Sequence, residues 1–176
     1  MPMKSEQSNS SETISPSTPP IHQNGKLPVD LFQSEELLYR RYLSEHFTDG
    51  KILPASFRFP KQSFNRSLFS KPEDVLHVHC CNGVVLAPEG GWGVLECRVS
   101  ALPSPVNTID GRSYVFFPKH IPEPTCYAHS ELWCRKNLSD ASEYDDPPTS
   151  VKETFRIKLA RVMSVRIPAA ANQGTK

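Results

Sequence analysis

Proline most constrains what this chain can fold into. Between residues 31 and 166 it occurs eleven times, at 54, 60, 103, 105, 118, 122 and 124 among other places. Proline fixes φ and lacks an N–H, so it sits poorly inside helices and central strands. Its spacing punctuates short strands. Five further prolines (2, 16, 19, 20 and 28) fall in residues 1–30 with six serines, where Ile14, Ile21, Leu27 and Val29 stand alone. Such a stretch cannot bury enough surface to offset its chain entropy, so 1–30 is expected to be a disordered arm. The expected folded domain is 31–167, with a flexible tail over 168–176. No apolar core of a signal peptide follows the start, and no run approaches the roughly 18 apolar residues of a membrane helix. The five cysteines are odd in number and two are adjacent, which favours free thiols and a cytoplasmic setting.

Local patterns supply the elements. Ser34-Glu35-Glu36 resembles a helix N-terminus leading into Leu37, Leu38 and Tyr42, although Leu-Leu-Tyr-Arg-Arg-Tyr also reads as a strand. Ala55, Phe57 and Phe59 alternate with Ser56 and Arg58 as in a half-buried strand. Ser70-Lys71-Pro72-Glu73 predicts a short helix over Pro72 to Leu76. Asn82-Gly83 predicts a hairpin turn, and Asp110-Gly111 another turn. Leu95, Cys97 and Val99 share one face of a strand. A further strand, Tyr127 to Cys134, sets Ala128, Ser130, Leu132 and Cys134 opposite Tyr127, His129, Glu131 and Trp133. After Pro147-Pro148, Ser150-x-x-Glu153 reads as a capping box, and Val151, Phe155, Leu159 and Val162 share a helical face. The expected fold class is α+β: a mostly antiparallel sheet of short strands with an N-terminal helix and a C-terminal amphipathic helix.

Several blocks occur together: Arg40-Arg41-Tyr42, Pro54-Ala55-Ser56-Phe57-Arg58, Ser63-Phe64-Asn65-Arg66, Pro72-Glu73-Asp74-Val75-Leu76, Trp92-Gly93-Val94, Ala128-His129-Ser130-Glu131 and Lys152-Glu153-Thr154-Phe155-Arg156. In this order they resemble a family of small bacterial proteins with no assigned activity. The resemblance implies a bacterial cytosolic context and carries no catalytic role, cofactor or partner.

The candidate site residues centre on His129 and Glu131. On a strand they project to one face with α-carbons about 7 Å apart, as a base and an orienting carboxylate would. Ser56 and Arg58 are expected on another strand, and Arg40, Arg41 and Arg66 offer guanidinium groups suited to phosphate or carboxylate. The plain alternative is that His129 bonds to buried backbone and the arginines form surface ion pairs. His77-x-His79-Cys80-Cys81, with Cys126, His129 and Cys134, supplies zinc-type ligands. On a strand, however, these point to opposite faces, so no metal or other cofactor is expected. Cys126 or Cys134 beside His129 is also a formal nucleophile pair, better explained as buried thiols.

Residues 51–71 carry five cations and no acid, interleaved with Phe57, Phe59, Phe64 and Phe69. That pattern suits single-stranded nucleic acid. Yet residues 31–166 hold 17 basic and 16 acidic side chains, a net of +1, which argues against such a partner. Asp140, Glu143, Asp145 and Asp146 form an acidic loop able to shield the basic outer face of the last helix. The resulting expectation is a cytosolic binding or accessory module for a small anionic ligand or a partner protein, with Arg41, Ser56, Arg58, Arg66 and His129 as binding residues. The competing expectation is a small hydrolase or nuclease-like enzyme using His129 and Glu131 with arginine support.

Overall fold

Alternating burial along one strand shows how the sheet is built. In His129–Lys136, Ser130, Leu132 and Cys134 are buried on one face, preceded by buried Ala128, while Glu131 and Trp133 on the other are half-buried. A computed structural model of the protein describes residues 31–59, 62–76, 78–79, 85–86, 91–123, 126, 128–136 and 145–170. Its strands, in chain order, are β1 (Leu37–Leu43), β2 (Phe47–Thr48), β3 (Lys51–Ile52), β4 (Gln62–Arg66), β5 (Val78–His79), β6 (Val85–Leu86), β7 (Trp92–Arg98), β8 (Val106–Asn107), β9 (Ser113–His120), β10 (His129–Lys136) and β11 (Ser164–Ile167). A single α-helix among the described residues, α1 (Thr149–Val162), precedes β11. Seven strands form one sheet in the order β11-β7-β1-β4-β10-β9-β8, with every pairing antiparallel. Among the described residues no helix is long and apolar enough to cross a membrane.

The main core lies between one sheet face and α1. Leu38 and Tyr42 of β1, Phe64 of β4, Leu95 and Cys97 of β7, Tyr114 and Phe116 of β9 and Leu132 of β10 meet Val151, Phe155 and Leu159 of the helix. Phe155 stacks on Phe116 at 3.8 Å between ring centroids, and Phe59 meets both rings edge-on. Such aromatic pairs add about 0.5–1.5 kcal/mol beyond the area they bury. A smaller cluster of Tyr39, Val75 and Val94 covers part of the opposite face, beneath a 3₁₀ turn at Pro72–Leu76. That turn lies where the sequence predicts a short helix.

Pro118 lies within β9, beyond the two residues that β8 pairs. There β9 is an edge strand, where a missing N–H is tolerated. At Gly93 a Cβ would strike Tyr42 Cε1 and come within 2.5 Å of Ala169 N and 2.6 Å of Ile167 O. The absence of a side chain therefore lets the C-terminal segment cross β7. Ala169 N donates to Tyr42 Oη at 3.0 Å, so the chain is tied down one residue past Pro168.

Several expectations need correction. The run after Ser34 is not a helix but β1, a central strand paired along all seven residues with β7 and also with β4. Glu36 does not cap a helix; its carboxylate pairs with Arg66. Ladder formation and burial on both faces override the local cap signal. Ala55–Phe59 is not a strand either. Pro54–Ser56 is a 3₁₀ turn closed by Ser56 Oγ donating to Leu53 O at 2.7 Å and Phe57 N donating to Pro54 O at 3.1 Å. Ala55 is consequently exposed while Phe57 is fully buried. The strand through Leu95 and Cys97 ends at Arg98, and Val99 starts a 3₁₀ turn.

The capping box at Ser150 does not form, because the N-cap is Pro148 and Ser150 already lies inside α1. Of the four residues assigned to the helix's inner face, Val162 is exposed. β11 has no counterpart in the expected elements. β5 and β6 pair as the two strands of a hairpin, but with Val78 opposite Leu86 and His79 opposite Val85, one residue off the register that a two-residue Asn82-Gly83 turn would set; the turn itself lies outside the described residues.

Candidate functional site

The sheet face turned away from α1 carries polar side chains because three strands present them in register. Asn65 of β4 pairs with Tyr39 of β1 on one side and with His129 of β10 on the other, so the three form a row across the sheet. Arg41, two residues beyond Tyr39, projects from the same face. This row and its neighbours line a cavity of about 420 Å³, walled by Trp92, Val75, Glu123 and Cys126.

Arg41 marks one end. Its guanidinium carbon lies 5.1 Å from the centre of the Trp92 ring. Its Nη1 is buried without a hydrogen-bond partner among the described residues. Burial pushes its pKa below the usual arginine value, opposed by the nearby Cys126 thiol. A buried donor left unmatched is costly, and an anion is its best complement.

His129 marks the other end. Its Nδ1 lies 2.8 Å from Ile121 O. A carbonyl only accepts, so Nδ1 carries a proton, and in the neutral tautomer this leaves Nε2 as the acceptor. Glu123 Oε1 stands 3.6 Å from Nδ1. Backbone pairing holds this carboxylate there: Glu123 and Cys126 exchange hydrogen bonds at 3.1 and 3.0 Å, and His129 N donates to Cys126 O at 3.1 Å. Between the two ends, Cys126 Sγ donates to Asn65 Oδ1 at 3.6 Å. Burial raises the Cys126 pKa, with the Asn65 contact opposing it.

Of the residues singled out from sequence, Arg40, Arg41, Cys126 and His129 all border the cavity. Glu131 shares the strand face with His129, but its Oε2 accepts from Trp133 Nε1 at 3.0 Å and it is not part of the cavity lining. Glu123, which sequence reasoning missed, is the carboxylate beside the imidazole. Its only signal is a position between Pro122 and Pro124, just before the His129 strand. Arg40 belongs to the core-facing side. Its guanidinium donates to Ser63 O at 3.0 Å and Ser56 O at 3.2 Å, and burial, with Arg41 beside it, lowers its pKa to about 10. Arg66 is 2 % exposed and engaged by Glu36. Ser56 is buried in its own turn, and Arg58 is exposed outside the cavity lining.

The other chemistries draw little support. Among the described residues, no three His, Cys, Asp or Glu side chains are grouped to hold a metal ion. His77, Cys80 and Cys81 lie outside the described residues. Phe57 and Phe64 of the basic stretch are buried and Phe59 packs on the core, so those rings are not offered to bases. Burial pushes the Cys134 and Cys97 thiols up to about 12, away from nucleophilic thiolates. Of the acidic loop, Asp146 pairs with Lys152 of α1 at 2.8 Å, which neutralises one cation of the outer helical face. No protein family, curated protein or solved structure matches this chain.

Proposed function

We propose that the protein is a binding module whose cavity takes a small anionic ligand, with Arg41 as the anion contact. The observation that carries this reading is the Arg41 guanidinium: held on Trp92, lining a cavity, with a buried nitrogen that no group among the described residues satisfies. Arg40 and Arg66 are occupied by carbonyls and a carboxylate, which leaves Arg41 as the recognition residue. A cytosolic setting accords with the unpaired thiols of Cys97, Cys126 and Cys134, and the short sequence blocks attach the reading to a bacterial system. The test is an NMR titration of the full chain with acetate and with inorganic phosphate. Amide shifts are expected at Tyr39, Asn65 and His129, and Arg41→Met should abolish them at unchanged melting temperature. Equal shifts in wild type and variant defeat the proposal.

A second reading, a small hydrolase or nuclease-like enzyme, draws on one observation. The His129 tautomer is set by Ile121 O so that Nε2 is available as a base. Binding is favoured over it because burial raises the pKa of Cys126, the thiol that lines the cavity. Hydrolysis lost in His129→Ala at unchanged melting temperature would reverse that preference.

A further inference from the structure

We infer that the ligand is a small dipolar molecule, with a carboxylate at one end and a protonated amine at the other. This rests on the anion-binding reading of Arg41 and adds what the opposite end of the cavity selects. Arg41 stands on β1 and His129 on β10, with β4 between them. Two strand spacings across the sheet and two residues along β1 separate their α-carbons, about 12 Å in all. At the His129 end, Nδ1 is committed to Ile121 O, so in the neutral tautomer the ring offers a ligand only an acceptor. Glu123, half-exposed beside it, adds a negative charge. The two groups together ask for a hydrogen-bond donor with positive charge.

A second anionic group at that end would face the Glu123 carboxylate. Polyphosphates and nucleic-acid backbones are therefore poor complements, whereas a molecule with separated opposite charges matches both ends. Asn65 lies in the row between them. Its Oδ1 is engaged by Cys126, which leaves its amide nitrogen for a ligand's middle.

The experiment uses the full chain, calorimetry, and two probes of equal length, 6-aminohexanoate and hexanoate, against wild type, Glu123→Gln and Arg41→Met. Glu123→Gln preserves shape at a half-exposed position and removes the charge. The expected result is that 6-aminohexanoate binds wild type at least about threefold more tightly than hexanoate, the scale of a partly exposed charge pair. In Glu123→Gln the ratio should fall to near one, and in Arg41→Met both probes should be lost. If hexanoate binds as tightly as the amino acid and still requires Arg41, the dipolar inference fails while the anion site stands. A preference that persists in Glu123→Gln also overturns it. If neither probe's binding depends on Arg41, the anion reading falls as well.

Discussion

Arg66 and Glu36 form a buried ion pair whose removal should be the costliest single polar change in this fold. Arg66 Nε donates to Glu36 Oε1 at 2.7 Å and Nη2 to Oε2 at 2.8 Å, a bidentate arrangement. Nη2 also donates to Leu31 O at 2.8 Å, and the guanidinium lies 3.9 Å from the Phe32 ring centre and 5.1 Å from that of Phe69. The side chains are 2 % and 4 % exposed, so water cannot replace a missing partner. At an effective dielectric near 20, charges about 2.8 Å apart attract by roughly 6 kcal/mol, most of it offset by the cost of desolvating both. Deleting one partner keeps the desolvation cost and forfeits the attraction. Glu36→Ala should therefore destabilise by about 3–5 kcal/mol. For a domain of this size that lowers the melting temperature by roughly 10–15 °C. The double variant Glu36→Leu/Arg66→Met should recover much of the loss, with a coupling of about 2 kcal/mol or more. Urea and thermal unfolding of the four proteins in the cycle measure both quantities. A Glu36→Ala cost below about 1 kcal/mol, the range of a surface pair, would show that Arg66 is solvated and the clamp does not exist.

Two other perturbations probe separate parts of the molecule. Gly93→Ala should cost about 1–3 kcal/mol by overpacking against Ile167, Ala169 and Tyr42, and should speed amide exchange at Ala169; unchanged exchange would mean the C-terminal segment does not cross β7 as described. Burial holds the Cys97 and Cys134 thiols near 12, so at pH 8 in the native protein they should resist iodoacetamide while half-buried Cys126 reacts before either, an order that peptide mass spectrometry reads directly. Faster labelling of Cys134 than of Cys126 would contradict the placement of β10 against the core.

What was legible in the sequence follows from how many faces of each element are buried. β10 alternates cleanly, and Ala128, Ser130, Leu132 and Cys134 are all buried as their spacing predicts. The helix over 149–162 is equally plain, because only one of its sides is apolar. β1 was ambiguous for a physical reason. Leu38 and Tyr42 enter one core, Tyr39 enters the smaller cluster on the other side, and Arg40 lies among the core-facing residues. With both faces covered, the period of two disappears, and a leucine-tyrosine spacing of four resembles a helix. β11 carries only four residues and half-buried apolar positions, too short a pattern to compete with the helix before it.

The candidate site shows the same principle applied to charge. Arg40, Arg41 and Arg66 are alike in sequence, and each was a reasonable anion contact. Folding assigns them three environments: Arg40 on two backbone carbonyls, Arg66 on a buried carboxylate, and Arg41 at a cavity with a nitrogen unmatched among the described residues. Residue type says that a guanidinium binds anions, and only packing says whether one is already bound. Arg40 and Arg41 are adjacent on a strand, so they must face opposite sides of the sheet. Once Leu38 and Tyr42 commit one side to the core, Arg40 is drawn onto backbone acceptors and Arg41 is left on the open face. The partner of His129 shows the converse. Glu131 has the strand spacing of an orienting carboxylate, yet Glu123, from the segment before β10, stands beside the ring. Strand periodicity finds neighbours along one chain segment, whereas the groups that define this cavity meet across segments.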